Sequence, residues 1–541
     1  MSAQVQGRSA EPTETQVFAR DSTGLVREVG PVSSAIYNLS YSSAPLSIAL
    51  MLSLAPAAYL GGNMFLATLF TLLLALPTAF VFAMFTTAIP RSGGDYTWIS
   101  RSISPMLGFA SNFSFMVWAV FIIGVYGTLV PSSALAPLFR FIAAEFNAPG
   151  ALKVSKFLTE QAGTLIVGTL LVVGGSAVLI FSRGVRSYIR VQNIFFGVWA
   201  FCLLMLVPVI MLLTSKGSFA GHFDSYVKAL GGPAHAAHTV TASGIPHPGF
   251  SLKESILLVT IPYYALGFIY QSAYLAGETK RGSKGVLMAM PGAQIISAVF
   301  FCLLIAAFLT SPGRSFLAGL SINLGHYGLE PAPQYPELAA IASGSTVIGL
   351  IIMLANVLFY VIWVPLSIIM ISRSIFAWSF DRLIPEKASA VNSRTHSPVN
   401  AVLMIAVVCI GAVVLVALEP SLGALVVLLG QTLTFVCVGL AAMVFPYRQA
   451  AVFAASPFNR RIGGLPVISV VGGLSAACMI AMMIILLEDP NSGTAWSTNP
   501  GRVITCGIIF GGGLIIYQAI RIFQRMRGVD IDLAYREIPP E

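Results

Sequence analysis

The stretch NLSYSSAPLS, residues Asn38–Ser47, interrupts a long apolar run near the start of the chain. Pro45 lacks a backbone N–H and disfavours the α-helical conformation at Ala44, so a helix through this run is expected to break here. The neighbouring serines offer hydrogen-bond partners to the freed backbone groups. Inside a bilayer, irregular backbone is tolerated only where it lines a cavity or is buried in protein. The stretch therefore predicts either a proline kink in a packed helix or a binding site.

The composition around this stretch is that of a membrane protein. Hydrophobic residues make up 56% of the 541 residues and charged residues only 9%, and the mean hydropathy is +0.84. A soluble domain carries roughly 25% charged residues, so a soluble fold is excluded. Disorder is excluded as well, because it requires low hydrophobicity and high charge.

Twelve apolar runs are long enough to cross a bilayer, which takes roughly 20 residues, and we number them spans 1 to 12. The sequence therefore predicts an all-α polytopic membrane protein with 12 transmembrane helices. All six cysteines fall within these runs, so no disulfide framework is predicted. The predicted bounds are 34–60, 62–89, 105–130, 161–181, 191–214, 252–276, 287–311, 343–371, 400–418, 421–445, 465–487 and 502–522.

The basic residues are distributed unevenly between the two sides of the membrane. Twelve spans place both termini on one side, and 22 of the 30 Lys and Arg residues fall on that side. The positive-inside rule therefore predicts a multi-pass cell-membrane protein with both termini in the cytoplasm. These residues are spread over seven short segments and form no single patch, so nucleic-acid binding is not predicted.

A second interruption, PYYALGF at residues Pro262–Phe268, lies in span 6. It follows the first by five spans, the spacing expected for corresponding helices of an inverted five-plus-five repeat. A broken helix exposes N–H groups that favour a carboxylate and C=O groups that favour an ammonium group. No acidic residue and no Lys or Arg lies in the middle of a predicted span. The pair of breaks therefore favours a site for a neutral zwitterion, such as an amino acid.

Three loop segments carry a resemblance to a known family. They are IPRSGGDY at residues 89–96 with Arg101 and PMLGF at 105–109, AGETK at 276–280, and Arg373 followed by FDRLIP at 380–385 with Ser397-Pro398. In order and position they resemble the loops of amino acid permeases of the amino acid–polyamine–organocation (APC) transporter superfamily. The match covers residues 90–400 approximately.

The resemblance implies a transport core over residues 31–445, built from repeats 31–214 and 252–445 with discontinuous helices 1 and 6. It implies peripheral spans 11 and 12 at 465–522 and cytoplasmic tails at 1–30 and 523–541. It also implies an amino acid substrate moved by alternating access. The implied substrate-binding residues are Ser42, Ser43, Ala44, Pro45, Leu46, Ser47, Tyr263, Tyr264, Ala265, Leu266, Gly267 and Phe268, and the implied gating residues are Gly93, Gly94, Asp95, Tyr96, Glu278, Arg373 and Asp381.

The chain departs from the family pattern at two points. Members commonly carry glycine-rich sequence at the break in span 1, where this chain has Ser and Pro. Proton-coupled members place a lysine in span 5, where this chain has Trp199 and no lysine. Ser367 in span 8 is a candidate ligand for sodium. A proton and sodium both stay open as coupling ion, and no other cofactor, metal site or oligomeric state is predicted.

Several other functions stay open at this point. An exchanger or carrier of amines or organic cations would share the architecture, and so would an amino acid sensor that transports nothing. A six-plus-six carrier would favour a long central loop, whereas residues 277–286 are few. An enzyme would need an acid/base or metal constellation at a membrane face, and the sequence offers none, so no enzymatic activity is predicted.

Overall fold

The computed structural model describes residues 29–181, 185–246, 248–279, 284–322, 331–388, 398–419 and 426–535, with the single residues 329 and 390. The described chain is almost entirely helical. Its α-helices are Pro31–Tyr41, Ala44–Ala58, Met64–Ala88, Asp95–Ser102, Pro105–Leu129, Ala136–Phe146, Pro149–Thr159, Gln161–Phe181, Val185–Ala200, Val207–Leu213, Lys216–Ala229, Ala236–Ala242, Leu252–Leu257, Thr260–Leu266, Lys284–Thr310, Arg314–Ile322, Tyr335–Ala342, Thr346–Phe380, Val399–Leu418, Val426–Arg448, Ala450–Ala454, Val467–Glu488 and Pro500–Met526.

Shorter elements complete the fold. A two-stranded hairpin pairs Arg461–Ile462 with Leu465–Pro466. The remaining elements are π-helical turns at Val130–Leu135 and Phe201–Leu206 and 3₁₀ helices at Gln271–Glu278, Glu386–Ala388 and Ile531–Tyr535.

Within the described ranges, twelve helical segments are long and apolar enough to cross a bilayer, which confirms the predicted span count. Two predicted ends were wrong. Span 3 continues through the π-helical turn to Phe146, because Pro131 is accommodated in that turn and does not end the helix. Span 8 runs from Thr346 to Phe380, because the polar residues that suggested a loop are buried against protein partners.

Span 1 is broken where the sequence predicts. Its first half, span 1a, is Pro31–Tyr41, and its second half, span 1b, is Ala44–Ala58. Between them Ser43 adopts the left-handed conformation with φ 51° and ψ 27°. Pro45 lies in the first turn of span 1b, where its missing N–H costs no helical hydrogen bond.

Span 6 is discontinuous at two points. Helix Leu252–Leu257 ends in a turn at residues 258–259, just before Pro262, and a longer break follows at Gly267. Span 6a, Thr260–Leu266, contains Pro262 in its first turn and ends at Gly267. Turns follow over residues 267–270, and the chain then continues as a 3₁₀ helix, Gln271–Glu278, which we call span 6b. Four of the six residues predicted to lie at this break, Tyr263–Leu266, are therefore helical.

The broken spans lie at the centre of the bundle. Of the most apolar window in each span, 89% is buried inside the protein for span 6 and 72% for span 1, against 17% for span 12. Spans 1 and 6 are thus surrounded by protein, and span 12 lies at the periphery. The inverted relation between the two halves stays a prediction.

Both ends of the described chain lie on one side of the bundle. The N–H of Val29 donates to the carbonyl of Glu278, at the end of span 6b, at 3.0 Å. Tyr535 contacts Tyr96, in the short helix Asp95–Ser102 that links spans 2 and 3. We call this side the terminal face and that short helix the linker helix.

Candidate functional site

The break in span 1 is held by two aromatic side chains from other spans. Tyr126 on span 3 donates its hydroxyl to Ser43 Oγ at 2.7 Å. Trp363 on span 8 donates Nε1–H to the carbonyl of Tyr41 at 3.2 Å and stacks on Tyr126 with ring centroids 3.8 Å apart. The carbonyl freed at the end of span 1a is therefore satisfied by the protein. The first-turn N–H groups of span 1b have no partner within the helix, and Ser43 supplies no side-chain cap.

The break in span 6 is stabilised in the same way. Gln294 on span 7 donates Nε2–H to the carbonyl of Leu266, the last residue of span 6a, at 2.7 Å. Asn38 Oδ1 on span 1a accepts the backbone N–H of Ser272, near the start of span 6b, at 2.8 Å. One side chain of span 1 thus caps the second half of span 6.

Spans 1b and 6a, the other two halves of the broken spans, are also in contact. Ser47 on span 1b donates its hydroxyl to the carbonyl of Ile261 on span 6a at 2.7 Å. All twelve residues predicted to bind substrate are placed in or beside the two breaks, and all of them are buried. The structure therefore brings together the two sets of residues that the sequence singled out.

The two tyrosines of span 6a, Tyr263 and Tyr264, differ in the hydrogen-bond partners of their hydroxyl groups. The hydroxyl of Tyr263 lies 2.9 Å from Thr432 Oγ1. The hydroxyl of Tyr264 and both polar atoms of the Gln271 amide are buried and have no hydrogen-bond partner among the described residues. Buried polar groups in native proteins nearly always have a partner, so these groups are available to a ligand between the broken spans.

Ser367, the candidate sodium ligand, lies on span 8 close to the first break. Its hydroxyl donates to the carbonyl of Trp363 at 3.1 Å, the ordinary back-bond of a serine within a helix. A role in sodium binding stays a prediction.

The predicted gating residues meet in a buried cluster on the terminal face. Arg101 on the linker helix donates two hydrogen bonds of 2.7 Å to the carboxylate of Asp381, just after span 8. The hydroxyl of Tyr96 donates to the same carboxylate at 2.6 Å. Both charged side chains are 1% exposed, so this is a desolvated, bidentate ion pair.

A second buried ion pair ties span 8 to span 6b. Arg373 Nε donates to Glu278 Oε1 at 2.6 Å. The loop before the linker helix passes close to both elements, because Gly93 and Gly94 have φ of 94° and 49°. A Cβ at Gly93 would lie 2.5 Å from the Ala377 side chain, and one at Gly94 would lie 3.0 Å from the Tyr274 ring. Only glycine fits this approach without strain.

Asp95, the first residue of the linker helix, is the exception among the buried carboxylates of this cluster. Its Oδ1 accepts hydrogen bonds from the Tyr274 hydroxyl on span 6b and from Asn112 Nδ2 on span 3, the latter at 2.9 Å. Its Oδ2 is buried without a partner, and no cationic side chain pairs with it among the described residues. Burial raises the pKa of the Asp95 carboxyl to about 7, although the hydrogen bonds from Tyr274 and Asn112 oppose the rise.

The end of the described chain closes this cluster from outside. Tyr535, in the 3₁₀ helix after span 12, has its hydroxyl 3.0 Å from that of Tyr96, and its ring centroid lies 4.8 Å from the Arg101 guanidinium carbon. Asp532 holds this segment by ion pairs to Arg521 and Arg525 at 2.5 and 2.9 Å. The sequence gives no sign of this contact, since residues 523–541 read only as a polar tail.

Removing the Tyr535 ring is expected to destabilise the terminal face. In Tyr535→Ala the protein loses a desolvated cation–π contact, which contributes about 2 kcal/mol, together with a hydrogen bond of about 1 kcal/mol. In Tyr535→Phe only the hydrogen bond is lost. We expect thermal unfolding in detergent to rank the wild type above Tyr535→Phe and Tyr535→Phe above Tyr535→Ala, and equal transition temperatures for all three would contradict the contact.

The opposite face is closed by separate networks. Arg140 forms a buried bidentate pair with Glu337, with N···O distances of 2.8 and 2.6 Å. Asp489, between spans 11 and 12, accepts from Tyr59 after span 1b and from Thr260 at the start of span 6a, both at 2.7 Å. Burial raises the pKa of the Asp489 carboxyl above its usual range. The outer ends of both broken spans therefore meet at one carboxylate.

Sequence reasoning missed the side chains that cap the breaks. Asn38 lies within the opening stretch but was not singled out, and Gln294 is a polar residue within an apolar span. An amide inside a predicted span is itself a signal, because a polar side chain at membrane depth needs a partner. Tyr126 and Trp363 carry no such signal, since aromatic residues are common in spans.

These features define a polytopic helical membrane protein whose two central helices are broken at a shared, buried site. The sequence model of the amino acid permease family matches residues 32–512, and the chain belongs to that family. It is therefore a membrane transporter by family.

Curated relatives agree with this assignment. The chain is 23% identical over 269 residues to the "Inner membrane transporter YjeM" of Salmonella typhimurium and of Salmonella typhi. The protein of the same name from Escherichia coli K12 matches at the same identity. Each match covers 47% of this chain and 47% of the relative, so the chain spans about half the length of the curated relatives it matches.

Proposed function

We propose that the protein is a secondary active transporter that moves neutral amino acids across the cell membrane by alternating access. The observation that carries the proposal is the pair of breaks in spans 1 and 6, which lie together in the buried centre of the bundle. Membership of the amino acid permease family supports the substrate class. The distribution of basic residues supports cytoplasmic termini, and the terminal face is then the cytoplasmic face.

The chemistry of the breaks fits the two ends of a zwitterion. The first-turn N–H groups of span 1b, at Ala44 and Leu46, suit the α-carboxylate, because the start of a helix carries partial positive charge. The last carbonyls of span 6a suit the α-ammonium group, because the end of a helix carries partial negative charge. The side chains at the breaks are uncharged, which favours a substrate without net charge over a cationic or anionic one.

Alternating access requires each face of the bundle to open in turn while the other face stays closed. On the terminal face, span 6b is held by the ion pair of Glu278 with Arg373 and by the hydrogen bond of Tyr274 to Asp95. On the opposite face, spans 1b and 6a meet at Asp489. We propose that opening one face releases its network while the other network stays formed.

Uptake of labelled amino acids into proteoliposomes tests the proposal. We expect a subset of neutral amino acids to accumulate in liposomes that contain the protein and to compete with one another. Uptake of amines or organic cations in their place would identify a carrier of those substrates. Binding without flux would identify a sensor, and neither binding nor flux for any amino acid would end the proposal.

A pair of tyrosine variants tests the location of the site. The Tyr264 hydroxyl has no hydrogen-bond partner in the described part of the chain, so Tyr264→Phe should leave thermal stability intact while weakening substrate binding. A lost hydrogen bond of about 0.5–1.5 kcal/mol corresponds to a KM raised roughly twofold to twelvefold. Tyr263→Phe is the matched control, since it removes a hydroxyl already bonded within the protein and should lower stability more than affinity. A wild-type KM in Tyr264→Phe would place the substrate away from this hydroxyl.

A further inference from the structure

The buried carboxylates of the protein differ in whether a positively charged side chain pairs with them. Asp381, Glu278 and Glu337 each form an ion pair with an arginine. Asp489 has no arginine partner among the described residues, but both of its carboxylate oxygens accept hydrogen bonds. Asp95 is 0% exposed and has no such partner among the described residues, and its Oδ2 makes no hydrogen bond. A buried carboxylate without a counter-charge is costly to keep ionised, so it takes up a proton more readily than an exposed one.

The position of Asp95 connects it to the moving part of the molecule. It is the first residue of the linker helix, and its Oδ1 accepts the hydroxyl of Tyr274 on span 6b. The same oxygen accepts Asn112 Nδ2 from span 3, which also reaches Ser374 Oγ on span 8 at 3.4 Å. One carboxylate thus ties the second half of a broken span to two unbroken ones.

We propose that Asp95 is the proton-binding site that couples transport to pH, and that Tyr274 transmits its charge state to span 6b. This inference rests on the proposed function. The proton adds to Oδ2, which has no partner, while Tyr274 stays neutral and keeps donating to Oδ1. A neutral carboxyl is a weaker acceptor than a carboxylate, because hydrogen bonds to charged groups are about twice as strong. Protonation therefore weakens the tie between span 6b and the linker helix.

None of the charged or titratable groups named around Asp95 competes with it as a proton-binding site. Two nearby arginines are committed to ion pairs with other carboxylates, and the phenols and the thiol are neutral groups at the pH values concerned. On the elements packed against the linker helix and on the linker itself, these groups are Tyr274 of span 6b, Cys437 of span 10, Tyr96, and the pairs Arg101–Asp381 and Arg373–Glu278.

The sign of the pH effect follows from the raised pKa. The folded-state pKa of about 7 exceeds the ordinary value of 3.8, so folding binds a proton between these limits. The stability linked to Asp95 is complete at low pH and is lost as the pH rises through about 7. Uptake is expected to increase as the pH falls through the same range.

Infrared spectroscopy and uptake assays on the full-length protein test the proposal together. We expect a protonated-carboxyl C=O band that disappears as the pH is raised through about 7 and is absent from Asp95→Asn. Because the Tyr274 hydrogen bond lowers the pKa, Tyr274→Phe should move the midpoint of this band to higher pH. Uptake by Asp95→Asn should lose its pH dependence between about pH 5 and about pH 9.

Each outcome decides a separate point. A band that is unchanged in Asp95→Asn, or a midpoint that Tyr274→Phe does not move, overturns the assignment of the proton site. Wild-type uptake that is flat across the same pH range overturns the coupling even if Asp95 titrates. Absence of all uptake by the wild type ends the proposed function, while the infrared titration still decides whether Asp95 and Tyr274 form a proton site.

Discussion

Replacing Asp381 with alanine is expected to lower the free energy of unfolding by about 3–5 kcal/mol, because it leaves the buried guanidinium of Arg101 without its counter-charge. Arg101 donates two hydrogen bonds to the carboxylate of Asp381 and Tyr96 donates another, and both charged side chains of the ion pair are 1% exposed. A charge stranded in this environment cannot recover its hydration without opening the terminal face. Thermal or denaturant unfolding of the purified protein in detergent measures the effect.

The double variant Arg101→Ala/Asp381→Ala provides the control. Because it removes both charges, it should lose clearly less stability than the sum of the two single variants, by about 0.5–3 kcal/mol. Glu386→Ala, next to the exposed Arg382, should change stability by no more than about 0.5 kcal/mol, as is usual for surface pairs. Strictly additive losses for Arg101 and Asp381 would show that the pair is not coupled as the structure indicates.

The two breaks illustrate what local sequence can predict. Pro45 and the serines around it indicated the break in span 1, and the structure places it at Ser42 and Ser43. In span 6, Pro262 indicated the turn at residues 258–259 that separates helix Leu252–Leu257 from span 6a, because proline has no N–H to bond the carbonyl four residues earlier. Gly267 marks the actual end of span 6a.

Partners distant in sequence could not be predicted in this way. The loop motifs singled out Asp95, Glu278, Arg373 and Asp381 as gating residues. Nothing local indicates that Asp381 pairs with Arg101 while Asp95 has no cationic partner among the described residues. The same limitation explains the misplaced end of span 8. Arg373 reads as a loop residue until Glu278 is known to neutralise it within the protein.

The second large effect is expected at the left-handed residue of span 1. In Ser43→Val a β-branched side chain must adopt φ 51°, a conformation that costs an L-residue roughly 1–2 kcal/mol even without branching. The variant also leaves the buried Tyr126 hydroxyl without its acceptor, at a cost of about 1–3 kcal/mol. We expect an unfolding free energy lower by roughly 2–5 kcal/mol and initial uptake rates reduced at least about tenfold, because the first-turn N–H groups of span 1b are displaced from the substrate.

Two variants separate the backbone effect from the hydrogen bond. Ser43→Gly removes the same hydroxyl but adopts the left-handed conformation without strain, and Tyr126→Phe removes the same hydrogen bond while leaving the break itself unaltered. If the shape of the break positions the substrate, both should retain more uptake than Ser43→Val at comparable expression. Equal losses in all three would assign the effect to the Tyr126 hydrogen bond alone. Wild-type uptake in Ser43→Val would mean that the conformation at this residue does not govern substrate binding.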